Sequence, residues 1–293
     1  MKLGRLGVWY STDKLNGAQL ADFAGAVEKN GYAALWYPES RGYETVALAS
    51  YLLSKSEKLL IGSSIANIYA RDAFTARRAM VSLNDLHGGR FILGLGVSHE
   101  HLVSSLGQAY TKPLGKMEKF LDALDHPAEY GADSELPPVV LAALGPRMLT
   151  LSAERTAGAH PYFAPPEHTA YARSVLGSSS LLVPEQALSL AADQTEGLAA
   201  GRAYAQRYLR APNYTRNLKR FGFDDPDFAD GGSGRLIEAI IPSGAATVLD
   251  RVRAHLDAGA DHVLLQPLDE NGKFAGGQLD ELAAAVAELM KRS

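Results

Sequence analysis

Short apolar runs alternate with stretches of helical periodicity along most of the chain. RLGVWY (residues 5–10) is followed by a stretch in which Leu20, Phe23, Ala24 and Val27 share one helical face, closed by Asn30-Gly31 as a C-cap. The unit recurs as AALWYP (33–38) with TVALASYLLS, KLLIGSSIA (58–66) with DAFTARRAMVSLNDLHGG, and RFILGLG (90–96) with PLGKMEKFLDAL. It recurs again as PVVLAAL (138–144) with PRMLTLSAERTAG, and as SSLLVPE (179–185) with a helix from about Gly197 to Leu209. RLIEAIIPS (235–243) with TVLDRVRAHLDAG and DHVLLQPL (261–268) with LDELAAAVAELM complete the series. These runs lack the period-two alternation of a half-exposed strand, so each is expected to be buried on both faces, as in a parallel sheet covered by helices. Eight such units predict an α/β fold, a (β/α)8 TIM barrel formed by one domain over residues 1–293, with insertion segments at 167–177 and 213–234. In such barrels the chemistry sits at the C-terminal ends of the strands.

Composition narrows the function. With 46% hydrophobic and 21% charged residues the chain can bury a full core. It has no cysteine, which removes disulfides, thiolate nucleophiles and cysteine-ligated metals, so any redox role needs a bound cofactor. A net charge of -4 with scattered Lys and Arg argues against broad nucleic-acid or anionic-membrane binding. No run approaches the ~20 apolar residues of a membrane span, and the N-terminus has no leader-like apolar stretch, so a cytoplasmic protein acting on a small molecule is expected.

The strand ends supply the candidates. GRFILGLGVSHEHL (89–102) ends in two glycines and two histidines. A dinucleotide turn would need a third glycine where His99 stands. His99 and His101, two apart in an extended segment, could hold a metal, but a barrel metallohydrolase needs further ligands from other strand ends, and only His160 offers itself, so no metal is assigned. Trp9 and Tyr10 after strand 1, Glu39 and Ser40 after strand 2, Ser64 to Asn67 after strand 3, and Ala142-Ala143 after strand 5 complete the rim. Aromatic, small and singly polar groups suit a planar conjugated ligand better than a metal or a sugar. Each also has a plain structural reading: Trp9 as packing, and Glu39 as the partner of Arg41 or Arg71.

GSSIANIYARDAFTARRAM followed by GGRFILGLGVSHEHL resembles strands 3 and 4 of the bacterial luciferase-like superfamily, whose barrels use a flavin or its deazaflavin analogue, coenzyme F-420. LWYPES, LAALGPRML, HPYFAPPEHTAYAR and DAGADHVLLQPL extend the resemblance over essentially the whole chain, and the later segments look most like F-420-dependent oxidoreductases of actinobacteria. The resemblance implies hydride transfer at the cofactor ring, with the protein positioning ring and substrate. It places a non-prolyl cis peptide at Ser64-Ile65 against the ring, Asn67, Val97 and Ser98 at its edge, and Ala142 and Ala143 nearby. Gly145, Pro146 and Arg147, opening a helix, would receive the cofactor phosphate. Trp9, Tyr10 and Ser40 would meet substrate. Relatives of this kind often form homodimers.

Three departures set aside the sugar-phosphate reaction of related enzymes: Glu39-Ser40 in place of Asp-His, His99 in place of a carboxylate, and Thr156-Ala157-Gly158 in place of Ala-Asp-Gly. His99, and after it Glu39, remain the candidate proton donors or acceptors. Gly94 and Gly96 are expected to bring the backbone close to the ring, and the groove beside the fifth helix is expected to stay clear of the 213–234 insertion, leaving room for the lactyl-glutamate tail of F-420. The reading is an F-420-dependent oxidoreductase. The alternatives are an FMN-dependent monooxygenase and a non-catalytic flavin-binding paralogue.

Overall fold

Apolar runs of four to six residues become strands with both faces covered. In the computed structural model, which describes residues 3–126, 136–273 and 276–290, the strands are β1 (Leu6–Trp9), β2 (Ala34–Tyr37), β3 (Leu60–Ser63), β4 (Ala66–Asn67), β5 (Phe91–Gly96), β6 (Val139–Ala142), β7 (Gly158–His160), β8 (Leu181–Leu182), β9 (Glu185–Ser189) and β10 (Val263–Leu268). All pair in parallel, in the order β8-β7-β6-β5-β3-β2-β1-β10-β9, with β4 pairing β5. β3 and β4 form one path interrupted at Ser64-Ile65, and β8 and β9 form another interrupted at Val183-Pro184. Across the second gap Val183 N–H donates to Ala159 O at 2.9 Å, Glu185 N–H to Pro161 O at 2.9 Å, and Leu264 N–H to Pro184 O at 2.9 Å. Segment 181–189 therefore bonds both neighbours and closes the ring of strands into a TIM barrel.

The helices are α1 (Gly17–Lys29), α2 (Thr45–Ser54), α3 (Ala73–His87), α4 (Glu100–Ser105), α5 (Pro113–Asp125), α6 (Pro146–Arg155), α7 (Pro166–Leu176), α8 (Gln194–Ala205), α9 (Pro212–Leu218), α10 (Gly234–Ile240), α11 (Ala245–Asp257) and α12 (Leu279–Met290). Local chemistry sets their ends: Asn16 and Gln19 form a capping box on α1, and Asp72 accepts from Thr75 N–H at the start of α3. Among the described residues no helix is long and apolar enough to cross a membrane.

Alternation along each strand separates two cores. Leu6, Val8, Leu35 and Ile61 pack outward against helix residues such as Leu20, Leu52 and Val252. Trp9, Trp36, Leu60, Ile92, Val140 and Leu264 pack together inside the barrel. Each large side chain so buried contributes ~1.5–3 kcal/mol.

Two expected elements are corrected. Residues 235–243, expected as a strand, form α10 and the turn after it, because the buried Leu236, Ile237 and Ile240 fall on one helical face and Ser233 caps the helix by accepting from Leu236 N–H. The sixth station of the barrel is instead β7, three residues with no apolar run to announce it. Residues 167–177, expected as an insertion, belong to α7, the connection from β7 to β8. The 213–234 stretch does lie outside the strand-helix alternation, and its Tyr214, Leu218 and Phe223 pack with Phe163, Leu236 and Leu268 over the C-terminal mouth.

Candidate active site

Inside the mouth a hydrogen-bond chain crosses the barrel. Trp9 Nε1–H donates to Ser64 Oγ at 2.7 Å, and Ser64 Oγ lies 2.6 Å from His160 Nε2. His160 Nδ1 is 2.6 Å from the carbonyl of Val183, which can only accept, so Nδ1 carries the ring proton and Nε2 accepts from Ser64. Burial lowers the imidazole of His160 to about 4, in keeping with this neutral tautomer. His160, considered from sequence only as a metal ligand, is thus a structural acceptor, and no group of three or more potential metal ligands occurs among the described residues.

The Ser64-Ile65 peptide is cis. Ile65 lies partly exposed on the rim, with Val97, Ser98 and Ala142 partly exposed beside it. A Cβ on Gly96 would fall 2.4 Å from the Ile65 side chain, and one on Gly94 would fall 1.9 Å from Ser63 O. Those glycines therefore admit the neighbouring strand and Ile65. Ser98, after the strand, adopts left-handed backbone with φ of 57°.

Glu39 is fully engaged. It receives Asn67 N–H at 2.7 Å, Thr45 N–H at 3.3 Å and Arg71 Nη1–H at 2.7 Å, and pairs with Arg71 Nη2 as well. Asn67 Oδ1 in turn accepts from Tyr69 N–H at 2.9 Å. Glu39 is held as an ionic tie between the β2 end and β4, away from the role of a free base. Tyr10 sits against Phe23 of α1 at 4.3 Å between ring centres, Ser40 is exposed, and Ala143 is buried with Leu149 and Ala172 of the helices.

His99 caps α4 from the rim. Its ring lies 6.0 Å from that of His101, nearly parallel at 12°, and 5.8 Å from that of Tyr214 in the insertion. Burial, with the neighbouring His101, holds its pKa below the ordinary imidazole value. His101 is exposed.

Gly145 stands at the N-cap of α6 and Pro165 at that of α7, neither with a side-chain cap hydrogen bond. With Pro146 and Pro166 next, the donors at these ends are the N–H groups of Arg147 and Met148 on α6 and of Glu167 on α7, since His168 N–H bonds Pro165 O. His168 Nε2–H donates to Leu144 O at 2.9 Å and holds the two ends together. The guanidinium of Arg220, from the insertion, lies 3.8 Å from where a Cβ on Gly145 would stand. Arg220 thus borders a side-chain-free corner at the N-terminus of α6, which fits a phosphate, and Arg147 stands in the first turn of that helix. Arg220 of the insertion stands at this corner, whereas no residue of 213–234 lines the groove beside the helix. Beyond Arg147 an open surface groove of about 290 Å³ is lined also by Glu118 and Glu154.

Residues 1–175 match the model of the luciferase-like monooxygenases. The chain belongs to that family. Within it, a Mycobacterium tuberculosis protein named as a coenzyme F-420-dependent oxidoreductase is 29% identical over 199 residues, 57% of this chain and 56% of the relative. The chain therefore spans little more than half the length of that curated relative. The F-420-dependent tetrahydromethanopterin reductase of Methanopyrus kandleri shares the fold with a TM-score of 0.80 at 17% identity, over 98% of this chain and 99% of the other. The FMN-bound oxygenating constituent of 3,6-diketocamphane monooxygenase from Pseudomonas putida aligns with a TM-score of 0.71 at 12% identity, over 98% of both chains. The proteins that this chain resembles thus include oxidoreductases and monooxygenases.

The sequence missed Arg220, Tyr162 and Tyr214. Arg220 lies in a stretch expected only as an insertion. The tyrosines carried no signal, because nothing local says that positions 162 and 214 meet above the barrel.

Proposed function

We propose that this chain is an oxidoreductase that moves hydride between coenzyme F-420 and a small organic substrate. The observation that carries the reading is the side-chain-free corner at Gly145, with the N–H groups of Arg147 and Met148 on α6 and the guanidinium of Arg220, beside the apolar rim of Ile65, Val97 and Ala142. The likeness to the mycobacterial F-420-dependent relative supports the choice of cofactor. When bound, the deazaflavin supplies the hydride acceptor or donor. Arg147, Arg220 and the α6 N-terminus would hold its phosphate. Ile65, Val97, Ser98 and Ala142 would bound its ring, and Asn67 is fixed beside them by Glu39. His99, at the mouth, would hold or release the proton that accompanies hydride movement.

One observation favours a second reading. The groove beyond Arg147 carries Glu118 and Glu154, which repel the acidic lactyl-glutamate tail of F-420, whereas FMN ends at its phosphate. Titration of the purified protein with each cofactor, followed by absorbance and fluorescence, decides between them. F-420 is expected to bind more tightly. Micromolar FMN binding with none of F-420 reverses the assignment, and binding of either without turnover of any substrate indicates a non-catalytic flavin-binding paralogue.

A further inference from the structure

Glu185 begins β9 with its side chain turned into the barrel, since the next residue, Gln186, turns outward to bond His255 of α11 at 2.8 Å. It is 2% exposed. Its Oε2 accepts from Phe163 N–H at 3.1 Å, and Phe163 adopts left-handed backbone with φ of 55° in making that contact. Its Oε1 is buried without a partner, and no salt bridge reaches it among the described residues. Desolvation raises the carboxyl to about 8, so it carries its proton at neutral pH.

The surroundings are phenols. Tyr162 Oη lies 2.7 Å from Tyr204 Oη, 3.0 Å from Tyr208 Oη and 3.0 Å from Gln266 Oε1, so these hydroxyls satisfy one another and leave Glu185 aside. Tyr214 stacks its edge on Phe163 at 5.6 Å and continues the aromatic set to His99. The charged groups around this set are few: His160 is neutral as described, and Arg207 lies over the rings of Tyr204 and Tyr208 without pairing with Glu185. Trp9 meets Tyr162 at 5.5 Å from the barrel side.

We propose that Glu185 Oε1 is an anchoring point of the substrate site, and that the substrate is an uncharged, aromatic or conjugated compound bearing a carbonyl oxygen. Six aromatic rings wall this region, of which Tyr162 and Tyr208 are partly exposed and can meet a planar body, and the buried polar atom left unsatisfied among them is on a carboxylic acid able to donate a hydrogen bond. Arg207, the cation beside this set, is exposed and turned to Gly272 O at 3.1 Å, so an anionic substrate would meet no buried counterion and would be excluded. The inference rests on the barrel mouth being the active site, as proposed above.

The test uses acetophenone as the uncharged probe and benzoate as its anionic counterpart. Trp9 and Trp36, the two tryptophans of the chain, both lie inside the barrel, so their fluorescence reports occupancy. Acetophenone should quench it saturably, and benzoate should not. Glu185→Gln, which keeps an N–H donor, should bind acetophenone within about threefold of the wild type, and Glu185→Leu about tenfold or more weakly. F-420 and FMN titrations of the same variants should be unchanged. Should Glu185→Leu not fold, infrared difference spectra of the wild type should show a protonated-carboxyl band that shifts on acetophenone binding and is missing from Glu185→Gln. Benzoate binding as tightly as acetophenone, equal acetophenone affinity in Glu185→Leu, no quenching in the wild type, or a band that does not shift overturns the proposal. If acetophenone binding depends on Glu185 while neither cofactor binds, the cofactor reading fails and this one stands.

Discussion

Ser64 Oγ stands between Trp9 Nε1 and His160 Nε2, accepting from the first at 2.7 Å and donating to the second at 2.6 Å. One hydroxyl thus joins β1 and β7 across the barrel interior, and through His160 Nδ1–H it reaches Val183 in the segment that closes the ring. Ser64→Ala would leave an indole donor and an imidazole acceptor buried without partners. The expected loss is ~1–3 kcal/mol, seen as a lower denaturation midpoint in urea at unchanged slope.

Much of the barrel was legible because β1, β2, β3, β5, β6 and β10 are apolar enough to be recognised one at a time. β7 was not, since Gly158, Ala159 and His160 become a strand only because Val140 to Ala142 and Leu181 to Leu182 lie on either side. Residues 235–243 misled through composition: their apolar residues are β-branched or large, and only the spacing of Leu236, Ile237 and Ile240 marks the helix. At the site, Ser64-Ile65 and the α6 N-terminus could be located from motifs. The use of Gly94 and Gly96 could not, because it depends on Ser63 and Ile65 approaching from the adjacent strand. Glu185 was invisible for the same reason, its environment being made by Phe163 and tyrosines distant in sequence.

Stability should peak near neutral pH and fall on both sides. His160, His168 and His262 are lowered by burial to about 4 and His255 to about 3, from an ordinary value of 6.5. Their contribution is complete above pH 6.5 and is lost as pH falls toward 4, when the unfolded chain takes up protons that the fold refuses. Glu185 acts in the opposite sense. Its folded value is raised from 4.5 to about 8, so its contribution is complete below 4.5 and is lost as pH rises toward 8. Urea denaturation from pH 4 to 9 should therefore trace an arch, and Glu185→Gln should flatten its alkaline side while leaving the acid side in place. An unchanged alkaline side would show that Glu185 is ionised in the fold.

Arg147 stands in the first turn of α6, and Arg220, from the insertion, stands beside Gly145. If both serve the cofactor phosphate, Arg147→Ala and Arg220→Ala should each weaken cofactor binding by ~1–3 kcal/mol, and the losses should shrink as salt screens these exposed charges. Fluorescence titrations at low and high ionic strength measure both effects. A full loss in Arg220→Ala with none in Arg147→Ala would place the phosphate between the insertion and Gly145, with Arg147 facing the outer groove.

His99 and His101 differ in depth, and that difference should be measurable without substrate. Burial and the neighbouring His101 together hold His99 below the ordinary imidazole value, while His101 is exposed on the first turn of α4. Removing a nearby group that becomes cationic relieves repulsion of the charged form, so His101→Gln should raise the pKa of His99 without bringing it to the value of a free imidazole, burial being the larger cause. NMR titration of the imidazole Cε1–H signals would follow this directly. His99→Gln keeps a polar side chain of similar reach but cannot titrate. If His99 exchanges the proton that accompanies hydride transfer, that variant should lower turnover ~10²- to 10⁴-fold with cofactor affinity nearly intact. His101→Gln should keep its turnover and shift the lower arm of the pH–rate profile upward, in step with the NMR value. A profile that ignores the shift in His99 would remove it from the proton transfer.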